Sequence, residues 1–193
     1  MVKLTILGTG TFFANIDQAA SAFFLEADNK KVLIDCGPGT LVRLSQIGVS
    51  VFDLDAVFIT HFHPDHTSDL FPLFMNFRLA DIFAEEKPTR FPKFFGPAGI
   101  GNYFLKYSEL TELHSVENWG KIQFEEVRTS QKIDDLKISS YGVLHKAFNF
   151  SAKAYSYRFS YKNKVVVFSG DAARCDGIEK ACLGADLFIC DCS

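Results

Sequence analysis

Short apolar runs separated by polar turns recur along the whole sequence. Val2, Leu4 and Ile6 alternate with polar residues, which predicts a strand at the start of the chain. Other apolar runs, bounded by polar or glycine-containing turns, predict strands in the same way. These further strands cover residues 22–25, 31–35, 55–60, 93–95, 122–127, 136–144, 153–161, 164–169 and 186–191.

Apolar side chains three or four residues apart predict helices between these strands. The helices indicated by this spacing cover residues 41–47, 66–79 and 99–109. A short helix near the end of the chain begins at Asp176, where Glu179 completes a capping-box pattern. Strands in consecutive groups with helices between them favour mixed sheets with outer helices over a parallel βαβ succession. No linker divides the chain, so residues 1–193 are expected to form a single domain.

The composition is that of a folded chain, with 48% hydrophobic and 22% charged residues. The 21 Phe residues, against one Trp and two Met, predict a core with many aromatic faces. A net charge of −3 gives no overall basic field for nucleic acid. No apolar stretch reaches the roughly 18 residues that a membrane span needs. Five Cys residues without a CxxC pair favour reduced thiols and a cytoplasmic location.

Two short motifs resemble cofactor or nucleophile signatures but lack residues that those signatures need. Gly8-Thr9-Gly10 has no third glycine for a dinucleotide-binding loop, because Phe13 stands at that position. Ser169 lacks the glycines of a Gly-x-Ser-x-Gly frame, since Val167 and Asp171 flank it. We therefore expect neither a dinucleotide cofactor nor a serine nucleophile.

The segment His61-Phe62-His63-Pro64-Asp65-His66 holds three of the five His residues in the chain. His61 and His63 stand two apart at the end of an extended run, so they point to the same side. Asp65 and His66 project differently, because a helix is predicted to begin there. Four ligands so close in sequence wrap one tetrahedral ion poorly but can divide between two neighbouring ions. Imidazole and carboxylate ligands suit Zn, Mn or Fe.

A metal site built on this segment needs ligands from other parts of the chain. His145 and Asp171 each follow an apolar strand, where polar groups of several strands can gather at one sheet edge. His114 lies in a polar stretch near Trp119, and we interpret it as a bystander.

Taken together, these motifs resemble those of the metallo-β-lactamase-fold hydrolases, and within that superfamily the ribonuclease Z-like branch. The resemblance covers essentially the whole chain. It runs through Leu7–Gly10, Leu33–Gly37, Ile59–His66, Phe95–Ile100, Val143–His145, Tyr155–Phe159, Ser169–Asp171 and Gly184–Leu187.

The resemblance implies a four-layer αββα sandwich with the site at one edge of the two sheets. It also implies two metal ions, with Zn expected. By the resemblance, the first ion is bound by His61, His63 and His145, the second by Asp65 and His66, and Asp171 bridges both. A homodimer is a further implication of the resemblance.

The chain departs from the family pattern at its C-terminal end. The family takes another His for the second metal, a final strand and a helix from a segment after the equivalent of Asp191-Cys192-Ser193. We expect that the natural polypeptide continues past Ser193, or that the second metal is poorly held. The tRNA-processing members also carry a general-acid motif in that tail and a Gly/Pro-rich arm, and residues 80–95 do not resemble such an arm.

The chemistry expected of such a site is hydrolysis by a hydroxide that bridges two cations. Asp65 can orient or deprotonate that water. Asp35 ends its strand and is a candidate acceptor for a ligand His N–H, with a strand-terminal turn carboxylate as the alternative. Arg158 lies opposite the aromatic face of its strand, either as part of a solvated face or as a cationic approach for phosphate near His145.

The leading hypothesis is therefore a binuclear metal-dependent phosphodiesterase whose phosphate-ester substrate includes RNA. The first alternative is the same fold acting on a cyclic nucleotide, sulfate ester, lactone or thioester. The second alternative is a non-catalytic, truncated member of the superfamily. No membrane association is expected.

Overall fold

A computed structural model describes residues 1–13, 16–110, 121–147 and 150–191 of the chain. Its strands are β1 (Val2–Gly8), β2 (Ala22–Ala27), β3 (Lys30–Ile34), β4 (Ala56–Phe58), β5 (Lys93–Gly96), β6 (Gln123–Glu126), β7 (Ser130–Ile133), β8 (Leu136–Ala147), β9 (Phe150–Tyr161), β10 (Lys164–Phe168) and β11 (Leu187–Ile189). Its helices are α1 (Thr40–Gln46), α2 (Pro64–Thr67), α3 (Leu70–Phe83), α4 (Ile100–Leu110) and α5 (Asp176–Cys182), with a 3-10 turn at Val51–Asp53.

The strands form two mixed sheets. One sheet has six strands in the order β1-β2-β3-β4-β5-β6, antiparallel from β1 to β3 and parallel from β3 to β6. The other has five strands in the order β11-β10-β9-β8-β7, antiparallel except for the β10–β11 pair. The prediction of mixed sheets from the grouping of strands is therefore confirmed.

The two sheets pack face to face through an aromatic core. Phe58 of β4 stacks on Phe95 of β5 with ring centroids 4.6 Å apart, and it meets Tyr157 and Phe159 of β9 edge-on. All four side chains are buried. The Phe-rich composition thus supplies large ring faces that fill the space between the sheets.

The outer face of the six-stranded sheet is covered by α1, α3 and α4. Phe24 of β2 points into this second core together with Phe74 of α3 and Phe104 of α4, whereas the neighbouring Phe23 and Leu25 point into the first. Because β2 is buried on both faces, its sequence is a continuous apolar run rather than an alternating one.

Helix α5 covers the outer face of the five-stranded sheet, where it contacts β8 and β9. Arg158 of β9 fixes its end, because the guanidinium donates 2.8 Å hydrogen bonds to the carbonyls of Ala181 and Leu183. The molecule is therefore a four-layer αββα sandwich, as predicted. Its layers are the helices α1, α3 and α4, the six-stranded sheet, the five-stranded sheet, and α5.

Three local predictions differ from the structure. The polar strand β7 was not predicted, because an exposed edge strand has no apolar run to reveal it. The helix predicted over 66–79 is divided into α2 and α3 at Asp69, whose carboxylate accepts a 3.1 Å hydrogen bond from the Leu41 amide of α1. The prediction of a capping box at Asp176 is wrong, because Cys175 is the N-cap residue and Glu179 pairs with Arg174.

Within the described residues, the helices are all too short or too polar to cross a membrane.

The turn after β3 passes so close to α2 that only glycine fits at position 37. A Cβ atom on Gly37 would lie 1.9 Å from the carbonyl oxygen of Asp65. We expect Gly37→Ala to lower the free energy of unfolding by roughly 1–3 kcal/mol or more, because the backbone of α2 has to move. Gly142→Ala is the matched control, since a Cβ there meets nothing within 4 Å, and its effect should stay within about 1 kcal/mol. Equal urea midpoints for the two variants would contradict this account.

Candidate metal centre

The histidine-rich segment follows β4, so its start is fixed by a buried strand. The chain stays extended through His63, which has φ −67° and ψ 147° and is the N-cap of α2. Pro64 then occupies the first turn of α2, where its fixed φ and missing N–H are tolerated. Asp65 and His66 consequently leave the backbone in helical directions, while His61 and His63 leave it from extended chain, as the sequence predicted.

Four side chains form the first group of candidate ligands. His61, His63, His145 and Asp171 each offer a nitrogen or oxygen atom, and these atoms all lie within 4.8 Å of one another. His145 Nε2 lies 3.1 Å from His63 Nδ1, and the ring centroids of His61 and His145 are 4.6 Å apart. The β8 strand thus delivers His145 to the segment that follows β4, across the gap between the two sheets.

A second group consists of Asp65, His66 and Asp171, whose donor atoms also lie within 4.8 Å of one another. His66 Nε2 is 3.0 Å from Asp171 Oδ1 and 3.8 Å from Asp65 Oδ2. Asp171 belongs to both groups, because its Oδ2 lies 3.7 Å from His61 Nε2. The six predicted ligand residues therefore lie together, with Asp171 between the two groups.

Buried polar atoms in the cluster match the needs of bound cations. His61 Nε2 and Asp65 Oδ1 are buried and have no hydrogen-bond partner in the described part of the chain. A buried polar atom without a partner is costly, and such atoms are usually explained by water, an ion or a catalytic role. Imidazole nitrogens and carboxylate oxygens at these separations are suitable ligands for a divalent metal ion. The residues therefore fit the metal ions that the resemblance implies.

Within the first group, burial and neighbouring charges favour the protonation states that bind metal ions. Burial, reinforced by the charge of His66, lowers the pKa of His61 to about 2. Burial also lowers the pKa of His145. Burial alone would raise the pKa of Asp171, but the hydrogen bond and charge of His66 outweigh it and lower that pKa to about 2. Neutral imidazoles and an ionised carboxylate are the forms that bind metal ions.

His66 and Asp65 behave differently from the first group. Burial opposes the charged form of His66, but the carboxylates of Asp35 and Asp171 outweigh it and raise its pKa to about 11. Burial raises the pKa of Asp65. In the protein alone, the imidazolium of His66 supplies the positive charge that the surrounding carboxylates require, and a divalent cation would supply the same charge when bound.

Asp35 contacts His66 from the end of β3. Its Oδ2 lies 2.8 Å from His66 Nδ1, and its carboxylate accepts hydrogen bonds from the amide of Thr60 at 2.8 Å and from the Thr60 hydroxyl. The residue has a positive φ of 57°, which turns the chain sharply after the strand. Of the two interpretations of Asp35 from sequence, the contact favours an acceptor for a ligand histidine.

Thr60 is a site residue that the sequence analysis missed. Its hydroxyl lies between Asp35 and His61, 3.1 Å from His61 Nδ1. Its only signal in the sequence is its position next to His61, because threonine is common at strand ends. The hydrogen bonds of Arg158 to the end of α5, described above, account for that side chain. His114 lies outside the described residues.

A family model for the Anti-Pycsar protein Apyc1 matches residues 2–193. The chain belongs to the Anti-Pycsar protein Apyc1 family. The match spans every strand, helix and candidate ligand described above.

Curated relatives and solved structures place this family member in a wider superfamily. Ribonuclease Z of Mycobacterium bovis is 24% identical over 204 residues, which cover 98% of this chain and 69% of that protein. The metallo-beta-lactamase fold protein YhfI from Bacillus subtilis superposes with a TM-score of 0.77 at 20% identity, covering 97% of this chain and 70% of that one. The short form of human tRNase Z gives a TM-score of 0.71 at 21% identity, covering 97% and 76% of the two chains.

These comparisons confirm the predicted metallo-β-lactamase fold and the likeness to ribonuclease Z. Together with the histidine and aspartate cluster, they identify the chain as a metal-dependent hydrolase.

The first group gives a direct prediction for metal content. The protein should retain at least one ion per chain after loading with Zn and removal of free metal, and His63→Ala should retain at least one ion fewer, because a nitrogen ligand is lost. Elemental analysis measures both values. Metal-free His63→Ala should unfold at the temperature of the metal-free parent, since His63 is only half-buried. Equal metal contents would refute the assignment of His63.

The contact between Asp35 and His66 predicts that a change at Asp35 weakens metal binding less than the loss of a ligand does. Asp35→Asn keeps the size of the side chain but removes the charge that orients His66, so metal affinity should fall by roughly 10- to 100-fold. Titration with a chromophoric chelator as competitor measures the affinity. Asp55→Asn is the matched control, because Asp55 is also largely buried but pairs with Lys30 and Arg90. A fall of the same size in both variants would contradict the orienting role.

Proposed function

We propose that this protein is a binuclear metal-dependent phosphodiesterase, with Zn as the expected metal and Mn or Fe as substitutes. The observation that carries the proposal is the position of Asp171, which offers donor atoms to two separate groups of candidate ligands. In this proposal His61, His63 and His145 would hold one ion, Asp65 and His66 would hold the other, and Asp171 would offer a donor atom to each.

Two cations bound there would supply Lewis-acid polarisation of a phosphate and an acidified water at neutral pH. The residues of the chain then have distinct tasks. Asp65 accepts the proton of the attacking water, since its Oδ1 is buried and has no hydrogen-bond partner in the described part of the chain. Asp35 and Thr60 hold the rings of His66 and His61 in place through the contacts given above. Such orientation fixes the geometry before substrate arrives.

The wider relatives and one feature of the fold support two candidate substrates. RNA is the first candidate, because curated relatives are named ribonuclease Z. A small cyclic nucleotide is the second candidate, and the connection from α3 to β5 favours it. In the described structure this connection, residues 84–92, contains no helix or strand and is short for an arm that would hold a large nucleic acid.

Three further expectations belong to the same proposal. Residues 1–193 form a single domain, which is supported by the way both sheets share one aromatic core. The protein works as a homodimer in the cytoplasm. Size-exclusion chromatography with light scattering tests the dimer, and localisation of a tagged protein tests the compartment.

The proposed base makes Asp65 the most informative variant. Asp65→Ala removes a ligand of the second ion and the proton acceptor, so the turnover number on an aryl phosphodiester should fall by at least 100-fold. The ion held by His61, His63 and His145 should remain, which elemental analysis checks. Full activity of Asp65→Ala would refute the mechanism.

The proposal as a whole is tested with methyl p-nitrophenyl phosphate and the zinc-loaded protein. Release of p-nitrophenolate that is abolished by chelator and restored by Zn or Mn supports a phosphodiesterase. Hydrolysis of an aryl sulfate, a lactone or a thioester without hydrolysis of the phosphodiester would overturn the substrate class. Stable metal binding without hydrolysis of any of these compounds would favour a non-catalytic protein.

A further inference from the structure

The helix that carries Asp65 and His66 is too short to hold its own shape. Helix α2 has four residues, and the side chain of its N-cap residue, His63, makes no capping hydrogen bond. Isolated helices of this length are unstable in water, because the first turn of a helix is costly to form. The positions of these three candidate ligands therefore depend on contacts with other parts of the fold.

One set of contacts comes from the turn after β3. The amide of Cys36 donates a 2.8 Å hydrogen bond to the carbonyl of His66, and Asp35 contacts the ring of the same histidine. Gly37 passes close to the carbonyl of Asp65, as described above. These contacts are made to Asp65 and His66, whereas the backbone just before them is held by a different element.

Tyr103 of α4 contacts the histidine-rich segment and α2 at two points. Its ring stacks on that of Phe62, which stands between His61 and His63, with centroids 4.9 Å apart and planes 8° from parallel. Its hydroxyl lies 3.0 Å from the hydroxyl of Thr67, the last residue of α2. Each of the two contacted residues is therefore a sequence neighbour of a candidate ligand.

The two hydroxyls form a chain of hydrogen bonds that ends at the backbone of His63. Thr67 Oγ1 donates to the carbonyl of His63 at 2.9 Å, and this bond uses the single hydroxyl proton of Thr67. Tyr103 is then the donor in the bond between the two hydroxyls. Because Thr67 is only 2% exposed, solvent has little access to this chain of bonds.

The position of Tyr103 is itself fixed by the fold. It lies in the first turn of α4, where its amide donates a 2.8 Å hydrogen bond to the carbonyl of Gly99. The next residue, Phe104, is buried against Phe74 of α3 and Phe124 of β6, with ring centroids 4.4 and 4.9 Å away. Aromatic contacts of this kind are stabilising, so Tyr103 extends from a helix that is anchored to the sheet.

We propose that Tyr103 is a positioning residue for the metal centre, acting through Phe62 and Thr67 from a helix that carries none of the six candidate ligands. The bond to Thr67 fixes the backbone at His63, and the stacking on Phe62 fixes the chain between His61 and His63. The inference concerns how the ligands are held, so it applies to whichever substrate the enzyme hydrolyses.

The test separates the hydroxyl of Tyr103 from its ring. Tyr103→Phe keeps the stacking but removes the donor, so zinc affinity, measured by competition with a chromophoric chelator, should fall about threefold or more. Thr67→Val should cause a loss of at least the same size, and Thr67→Ser should restore the affinity to within about twofold, because it keeps the hydroxyl. Tyr107→Phe is the matched control, since the ring of Tyr107 lies against Phe71 one turn further along α4, and it should leave the affinity unchanged.

A double-mutant cycle distinguishes positioning from a general loss of stability. In the Thr67→Val background the tyrosine hydroxyl has lost its acceptor, so Tyr103→Phe should change zinc affinity by less than about 1.5-fold. The d–d absorption bands of the cobalt-loaded protein report ligand geometry, and they should shift in Tyr103→Phe but not in Tyr107→Phe. Equal losses of zinc affinity from Tyr103→Phe in the two backgrounds would overturn the proposal.

Hydrogen exchange in the metal-free protein separates this inference from the assignment of the metal centre. The amide of His66 donates a 3.0 Å hydrogen bond to the carbonyl of His63, the same atom that accepts the bond from Thr67. Tyr103→Phe should speed exchange of this amide about fivefold or more and leave that of Leu41 in α1 unchanged. If the parent protein binds neither zinc nor cobalt, the metal assignment fails, and this exchange still decides the positioning role. Equal exchange rates of the His66 amide in the parent and in Tyr103→Phe would refute it.

Discussion

The candidate centre depends on the contact between the two sheets. The hydroxyl of Tyr157 in β9 donates a 2.7 Å hydrogen bond to the carbonyl of Ile59, two residues before His61. The amide of Tyr155 donates a second hydrogen bond, 3.0 Å long, to the carbonyl of Thr60. Burial raises the pKa of Tyr157, so its hydroxyl stays a donor. Because one set of ligands comes from each sheet, these bonds and the aromatic core set the distance between the two sets.

Asp35 links segments within the six-stranded sheet, as Tyr157 links the two sheets. Its carboxylate joins the end of β3 to Thr60 after β4 and to His66 in α2, so three separate segments meet at one buried charge. The close passage of Gly37 against Asp65 fixes the same turn from its other side. A charge buried in this way is tolerated only with full hydrogen bonding, which is why its partners are so closely placed.

The cluster also explains how folding prepares the protein for a cation. The surrounding sheets hold together neutral His61, ionised Asp171 and Asp65 before any ion binds. Among the described residues, Asp65 Oδ1 has no hydrogen-bond partner. Such an arrangement is costly by itself, and part of the free energy of metal binding offsets that cost.

Spacing of two and of three or four residues decides which side chains share a face, so the apolar strands and the longer helices were predictable from the sequence. The histidine-rich segment indicated candidate metal ligands by its residue types, and the αββα architecture was implied by the resemblance of the motifs to a known superfamily. Local pattern could not reveal the exposed edge strand β7, the division of the helix at Asp69 or the role of Thr60. The tertiary structure alone brought His145 and Asp171 to the segment after β4 and gave Arg158 its place at the end of α5. These contacts join residues far apart in sequence, and their distances are set by packing of the two sheets rather than by any local preference.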